Sequence, residues 1–333
     1  MSAASASVSR RARAGNNSLR SLLGSQEVVL ALSLVLLLVI VDLINPRYLA
    51  ENNVKSIFLG NAYIAVMAVG MTMVIVSGNI DISVGSLVGV LATISGTLAI
   101  KGAPIWVAWL APLVFGALAG ALTGFFVAYL RIPSIVVSLG MLSILKGGLI
   151  IATNGAWITN LPADYFLAQQ KILNIPMPVI FMLGLTILGA FFMRYSGLGR
   201  SIYAVGGNAE AARLSGINVR GVLMRVFILN GVIVGIASVL YATQLQIIQS
   251  TTPPGLELVV ITAAVVGGVS ILGGTGTVVG STLAAILLSA IGSALIFVNL
   301  SAYWLQAVQG SLILVTVLID LARRRRQRIQ MGK

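Results

Sequence analysis

Eight acidic side chains are all this 333-residue chain offers for proton or metal chemistry: Glu27, Asp42, Glu51, Asp81, Asp164, Glu210, Glu257 and Asp320. No two stand close enough in sequence to read as a catalytic carboxylate pair, and there is no Asp-rich metal box. The chain has no His and no Cys, which removes imidazole acid–base chemistry, thiol nucleophiles, zinc sites and disulfides. No GxxxxGK[ST] phosphate loop occurs. Gly274, Gly276 and Gly280 miss the GxGxxG spacing by one residue and follow no soluble strand. An enzyme or a nucleotide-binding protein therefore lacks its reactive groups, and no catalytic residue, metal site or cofactor is expected in this chain.

Three Gly-containing segments concentrate polar residues within this apolar sequence. The first is Ser77-Gly78-Asn79-Ile80-Asp81-Ile82-Ser83-Val84-Gly85-Ser86, and the second is Gly273-Gly274-Thr275-Gly276-Thr277. Each interrupts apolar sequence and is too short to be an exposed loop. Unwound backbone at membrane depth is tolerated only where protein buries it or a polar cavity is lined. Paired breaks, one in each half of a chain, point to a transport pathway. Asn79, Asp81, Ser83, Ser86, Gly274, Thr275 and Thr277 are the candidate residues there. An acid at the centre of a membrane helix costs about 2.5–3.5 kcal/mol on insertion scales, so Asp81 needs stabilisation; with Ser83 it resembles a helix N-cap.

The third segment, Gly206-Gly207-Asn208-Ala209-Glu210-Ala211-Ala212-Arg213-Leu214-Ser215-Gly216-Ile217, is of a different kind. Asn208 suits an N-cap, Glu210 sits where the helix dipole favours an acid, and Gly216 suits the left-handed stop. The pattern predicts a short polar helix with small residues, shaped to enter a groove on a partner.

These segments must be positioned by membrane helices. The chain is 58% hydrophobic and 9% charged, with a mean hydropathy of +1.03, where a soluble domain carries about 25% charged residues. Ten apolar runs serve as candidate spans: Val28–Ile44, Ile57–Ser77, Ile82–Ile100, Trp106–Leu130, Ile135–Thr153, Pro178–Met193, Val226–Leu245, Leu258–Leu272, Val278–Phe297 and Trp304–Leu321. Gly116, Gly120 and Gly124 form overlapping GxxxG steps that suit close helix packing. The net charge is +13, and 16 of the 21 Lys and Arg lie before the first run, after the last, in the 194–225 stretch or at Arg131. That placement follows the positive-inside rule and speaks against nucleic acid as a partner. It divides the chain into a cytoplasmic tail (1–27), a transmembrane domain (28–321, with a cytoplasmic loop at 194–225) and a basic cytoplasmic tail (322–333). The stretch Asn154–Ile175, with Trp157, Pro162, Asp164 and Tyr165, falls outside and is expected to form an outer helix or a docking surface. The fold class is an all-α polytopic membrane protein with about ten transmembrane helices, some broken, and a short cytoplasmic coupling helix.

Glu210-Ala211-Ala212-x-x-x-Gly216 resembles the EAA-xxx-G signature of permease subunits of bacterial ATP-binding-cassette importers. Gly78–Ser86 looks like the GGIDLSVGS motif of ribose-type sugar permeases, and Gly267–Thr277 is similar to their second Gly-rich motif. Asn79, Thr275, Thr277 and Ala302-Tyr303-Trp304 look more like the autoinducer-2 and rhamnose branches. The resemblance implies a transport subunit in the bacterial inner membrane with both termini cytoplasmic. ATP would be bound by separate ATPase subunits, docked at Asn208, Glu210, Ala211, Ala212, Arg213 and Gly216. A periplasmic or extracellular sugar-binding protein would deliver a pentose, rhamnose or autoinducer-2 type substrate. A second permease chain, identical or not, and membrane lipids complete the partners. The competing class is a stand-alone secondary transporter or channel, which would need a buried coupling-ion carboxylate; only Asp81 qualifies.

Overall fold

A computed structural model describes residues 26–251, 254–301 and 303–331. The basic residues Arg10–Arg20, Ala302 and Lys333 lie outside the described residues. In an apolar medium each backbone polar group must find its partner inside the protein, so the apolar runs become helices. In chain order these are α1 (Gln26–Ile44), α2 (Glu51–Leu59), α3 (Ala62–Val76), α4 (Val84–Ile100), α5 (Ile105–Ala128), α6 (Ser134–Thr153), α7 (Met177–Tyr195), α8 (Gly197–Gly207), α9 (Ala209–Leu214), α10 (Val219–Ala242), α11 (Leu256–Val266), α12 (Val278–Phe297) and α13 (Trp304–Met331). Among the described residues eight stretches are long and apolar enough to cross a membrane, α2 and α3 counting as one, and α4 and α11 are shorter apolar helices. Together they match the ten segments read from hydropathy: the protein is an all-α polytopic membrane protein.

The helices divide by burial. From Ile64 to Val76 every residue of α3 is buried, and α4 and α10 are buried over most of their length. Leu43 on α1, Ile151 on α6, Ile187 on α7 and Leu318 on α13 are exposed apolar side chains. Such a surface has no use for water and suits lipid. At the centre, α5 crosses α10 backbone to backbone. A Cβ on Gly116 would stand 2.2 Å from the Gly231 carbonyl oxygen, and one on Gly120 2.2 Å from that of Phe227. The GxxxG steps thus do what small residues do between membrane helices.

Three boundaries differ from expectation. The helix after the first break begins at Val84 rather than Ile82, because Asp81–Ser83 form the turn into it. That leaves Ser86 in the first turn of α4, past the break. The run Leu258–Leu272 is helical only to Val266, because Gly267 packs against the backbone of Ser281 and Gly268 is left-handed at φ 97°. The stretch 154–176 holds no α-helix. It forms two 3₁₀ turns (Ala163–Tyr165 and Leu167–Gln169) and an antiparallel pair, β1 (Lys171–Ile172) with β2 (Ile175–Pro176), and is tied down by an Ile158–Ile248 bridge. Tyr165 is fully buried there and donates its hydroxyl proton to Ser95 Oγ at 2.8 Å.

Candidate functional site

The first break begins where α3 stops. Gly78, at φ 83°, takes the left-handed turn that a side chain would strain. The Gly78 N–H bonds the Ile75 carbonyl and the Asn79 N–H bonds that of Val74, closing the helix end as a Schellman motif. Asn79 keeps its amide local, donating to the Ser77 carbonyl and Oγ. Asp81 is 3% exposed. Its Oδ1 accepts from Ser83 N–H at 3.0 Å and Ser83 Oγ–H at 2.6 Å, and its Oδ2 accepts from Asn230 Nδ2–H at 3.0 Å. Ser83 itself occupies the N-cap of α4 without a side-chain cap bond, so Asp81 supplies the stabilisation from two residues upstream. The Ile80 N–H donates to Ser134 Oγ at the start of α6. Asn230 is the twelfth residue of the 24-residue α10, so the carboxylate is held at mid-length of the central helix.

The second break runs from Gly267 to Thr277. Ser270 Oγ donates to Asp320 Oδ2 of α13 at 2.6 Å. Thr277 Oγ accepts from the Gly280 N–H, capping α12, and donates to Glu27 Oε1 of α1 at 2.7 Å. Thr275 and Thr277 are exposed. Tyr203 of α8 donates its hydroxyl proton to the Gly276 carbonyl at 2.8 Å; burial pushes that hydroxyl above its ordinary pKa, which keeps it a donor.

The two breaks meet. The Gly274 N–H donates to the Val76 carbonyl at 2.8 Å. A Cβ on Gly206 would fall 1.7 Å from that same Val76 oxygen and 2.8 Å from Gly274 N, and one on Gly273 would fall 2.9 Å from Gly78 Cα. The end of α8 is thus wedged against both breaks, by backbone alone.

Three residues past Gly206, α9 begins. Asn208 Oδ1 accepts from the Ala211 N–H at 2.9 Å, the expected N-cap. Glu210 pairs with Arg213 at 2.6 Å on an exposed surface. Gly216, at φ 83°, ends the helix: its N–H bonds the Arg213 carbonyl and the Ile217 N–H bonds that of Ala212. Ala212 packs inward, whereas Glu210, Ala211 and Arg213 face outward with Leu214, which is 79% exposed. Beside the helix a groove of about 540 Å³ is lined by Arg131, Arg213 and Arg220 together with Glu210, whose charge offsets that of Arg213 and leaves Arg131 and Arg220 in excess.

The residues expected to matter therefore fall into three places. Asn79, Asp81 and Ser83 share the first break, and Gly274, Thr275 and Thr277 share the second. The set Asn208, Glu210, Ala211, Ala212, Arg213 and Gly216 forms one capped helix next to their junction. Reading by spacing missed Asn230, whose signal was a lone amide in an apolar run, as well as Gly206 and Tyr203. It also passed over Glu257, whose Oε2 lies against the start of α4, where a Cβ on Gly85 would stand 2.3 Å from it.

A family described as the branched-chain amino acid transport system permease component matches residues 53–317. The chain belongs to this permease family. Curated relatives include the autoinducer 2 import system permease protein LsrC of Enterobacter sp. (strain 638), 35% identical over 303 residues, 91% of this chain and 88% of that one. LsrC of Salmonella typhi is also 35% identical over 303 residues (91% and 87%). LsrC of Escherichia coli (strain K12 / DH10B) is 33% identical over 312 residues (91% and 89%). No solved structure matches the chain. The likeness to importer permeases drawn from the three motifs holds, and the permease is a transport subunit, a multi-pass protein of the inner membrane. The family favours this over a stand-alone secondary transporter or channel.

Proposed function

We propose that this permease is the membrane-spanning subunit of an ATP-driven importer that moves a monosaccharide-like substrate, of pentose, rhamnose or autoinducer-2 type, by alternating access. In this reading residues 1–27, 194–225 and 322–333 face the cytoplasm and flank or interrupt a permease domain at 28–321. ATPase subunits dock on Asn208–Gly216, an external binding protein delivers the sugar, and a second permease chain completes the pathway. The relatives named for autoinducer 2 import support the substrate class.

One observation carries the mechanism: Gly206, two residues before the docking helix, is in backbone contact with Val76 and Gly274. A displacement of α9 by the closing ATPase dimer reaches both breaks without passing through a flexible side chain. Leu214 offers the partner an apolar anchor, and the arginine-lined groove suits an acidic side chain beside it. Asn79, Asp81, Ser83, Ser86, Thr275 and Thr277 then lie in or beside the segments whose geometry changes as the pathway opens.

Two substitutions test the docking. Ala211→Trp places a bulky ring on the exposed face of α9, and Gly216→Val forces a β-branched residue into the left-handed stop. Both variants are expected to reach the membrane, yet to lose co-purification with the ATPase and sugar uptake. Full uptake and a normal complex in both would overturn the reading. Orientation is checked by Leu173→Cys in this Cys-free chain: Leu173 is 91% exposed in the 154–176 segment, so a membrane-impermeant maleimide should label it in intact spheroplasts.

A further inference from the structure

Several polar side chains that neither break uses meet in one cavity of about 600 Å³ at the far end of α3 from the Gly206 junction. It lies among α2, the starts of α3, α11 and α13, and the second half of α12. Its volume is within the range of about 300–1,000 Å³ common to small-molecule sites. Asn53, Asn61, Tyr63, Ser289, Ser293 and Gln309 line it, and no charged side chain does. Several of these groups are oriented in advance. Asn61 Nδ2–H donates to Ser289 Oγ at 2.8 Å, Ser289 Oγ–H donates to the Ile57 carbonyl at 2.8 Å, and Ser293 Oγ–H donates to Asn53 Oδ1 at 2.6 Å.

Gln309 is the informative residue. It is 94% buried, lines the cavity, and its amide makes no hydrogen bond among the described residues. The residue is packed on its other sides, so its unengaged amide is presented to the cavity, where an entering molecule can bond it. The chemistry defines that ligand. A zwitterionic amino acid would call for paired charges, which the lining side chains lack. A lipid chain has no use for the Asn, Ser and Gln groups. A sugar ring matches both faces of the cavity, its hydroxyls meeting those amides and hydroxyls and its C–H surface meeting Val259 and Leu288.

We propose that this cavity is a transient binding site for a neutral polyhydroxylated substrate about one sugar ring in size, deepening the importer reading on which it rests. Two measurements test it. In proteoliposomes holding the permease with its ATPase and binding protein, Gln309→Leu should lower uptake of labelled ribose, rhamnose or autoinducer 2 by about tenfold, the loss of one ligand hydrogen bond. Stability should not fall, because the amide has no protein partner to lose, and Gln309→Asn should recover part of the rate. Separately, Gln309→Cys in lipid nanodiscs without any ATPase should react with a small thiosulfonate reagent, and the transported probe should slow that reaction. Wild-type uptake by Gln309→Leu, together with labelling that no probe slows or that only added phospholipid slows, would overturn the site. Uptake that proceeds without ATPase subunits, alongside probe protection at position 309, would overturn the importer reading and leave the site standing.

Discussion

The two backbone breaks solve one problem in opposite ways. The first, at Ser77–Ser83, is stitched inside the bundle. Its acid is buried, its partners Asn230 and Ser134 come from helices packed around it, and each bond satisfies a group that has no water. The second, at Gly267–Thr277, is fastened from its rim by Glu27, Asp320 and Tyr203, with Thr275 and Thr277 exposed. A break held from within has few alternative partners, whereas one held from its edge can exchange protein bonds for solvent. The second break is itself buried at Gly267, Ser270 and Gly273, so it is its exposed end, Thr275–Thr277, that has solvent to exchange with, where the first break has none.

Removing the contact the breaks share should have the largest effect. Gly206→Ala drives a methyl group into the Val76 carbonyl and should cost about 3 kcal/mol, seen as a lower detergent melting temperature and loss of uptake. Gly207→Ala, with nothing within 4 Å of its Cβ, is the matched control and should be near neutral.

Next comes the interior acid. Asp81→Leu leaves the Ser83 and Asn230 donors without an acceptor and should destabilise by about 2–3 kcal/mol, while Asp81→Asn retains an acceptor and should be milder. Equal stability of Asp81→Leu and wild type would remove the basis for calling this break held from within.

At the rim the effects shrink. Thr277→Val loses the cap of α12 and the Glu27 contact, for about 1 kcal/mol. Glu27→Gln keeps an acceptor for Thr277 and should change stability by less than about 0.5 kcal/mol. If denaturant titrations rank the rim variants above Asp81→Leu, the roles of the two breaks are reversed.

How much of this was legible in sequence depended on the distance between partners. The capped helix Asn208–Gly216 was readable to the residue because cap, first-turn acid and stop all lie within nine positions. The membrane segments were readable because lipid imposes its demand on every run separately. The second break was expected six residues too late, since Val269, Ile271 and Leu272 disguise an unwound stretch as helix, which ends where Gly267 meets the backbone of Ser281 and Gly268 turns left-handed. Asn230 could not be assigned to Asp81 across a separation of 149 residues. Gly206 carries no signal of its own in sequence, because its reason, backbone contact with Val76 and Gly274, belongs to other segments.

The crossing of α5 and α10 has a kinematic consequence. The Gly231 carbonyl oxygen stands 2.2 Å from where a Cβ on Gly116 would be and the Gly116 oxygen 2.0 Å from one on Gly231, so the backbones touch and neither helix can bring a larger residue into the crossing without collision. The pair has the degrees of freedom of a single beam. Because Asn230 on that beam also holds Asp81, the first break is carried with it. Any alternating motion must draw its dividing line through the bundle so that α5, α10 and the first break fall on one side.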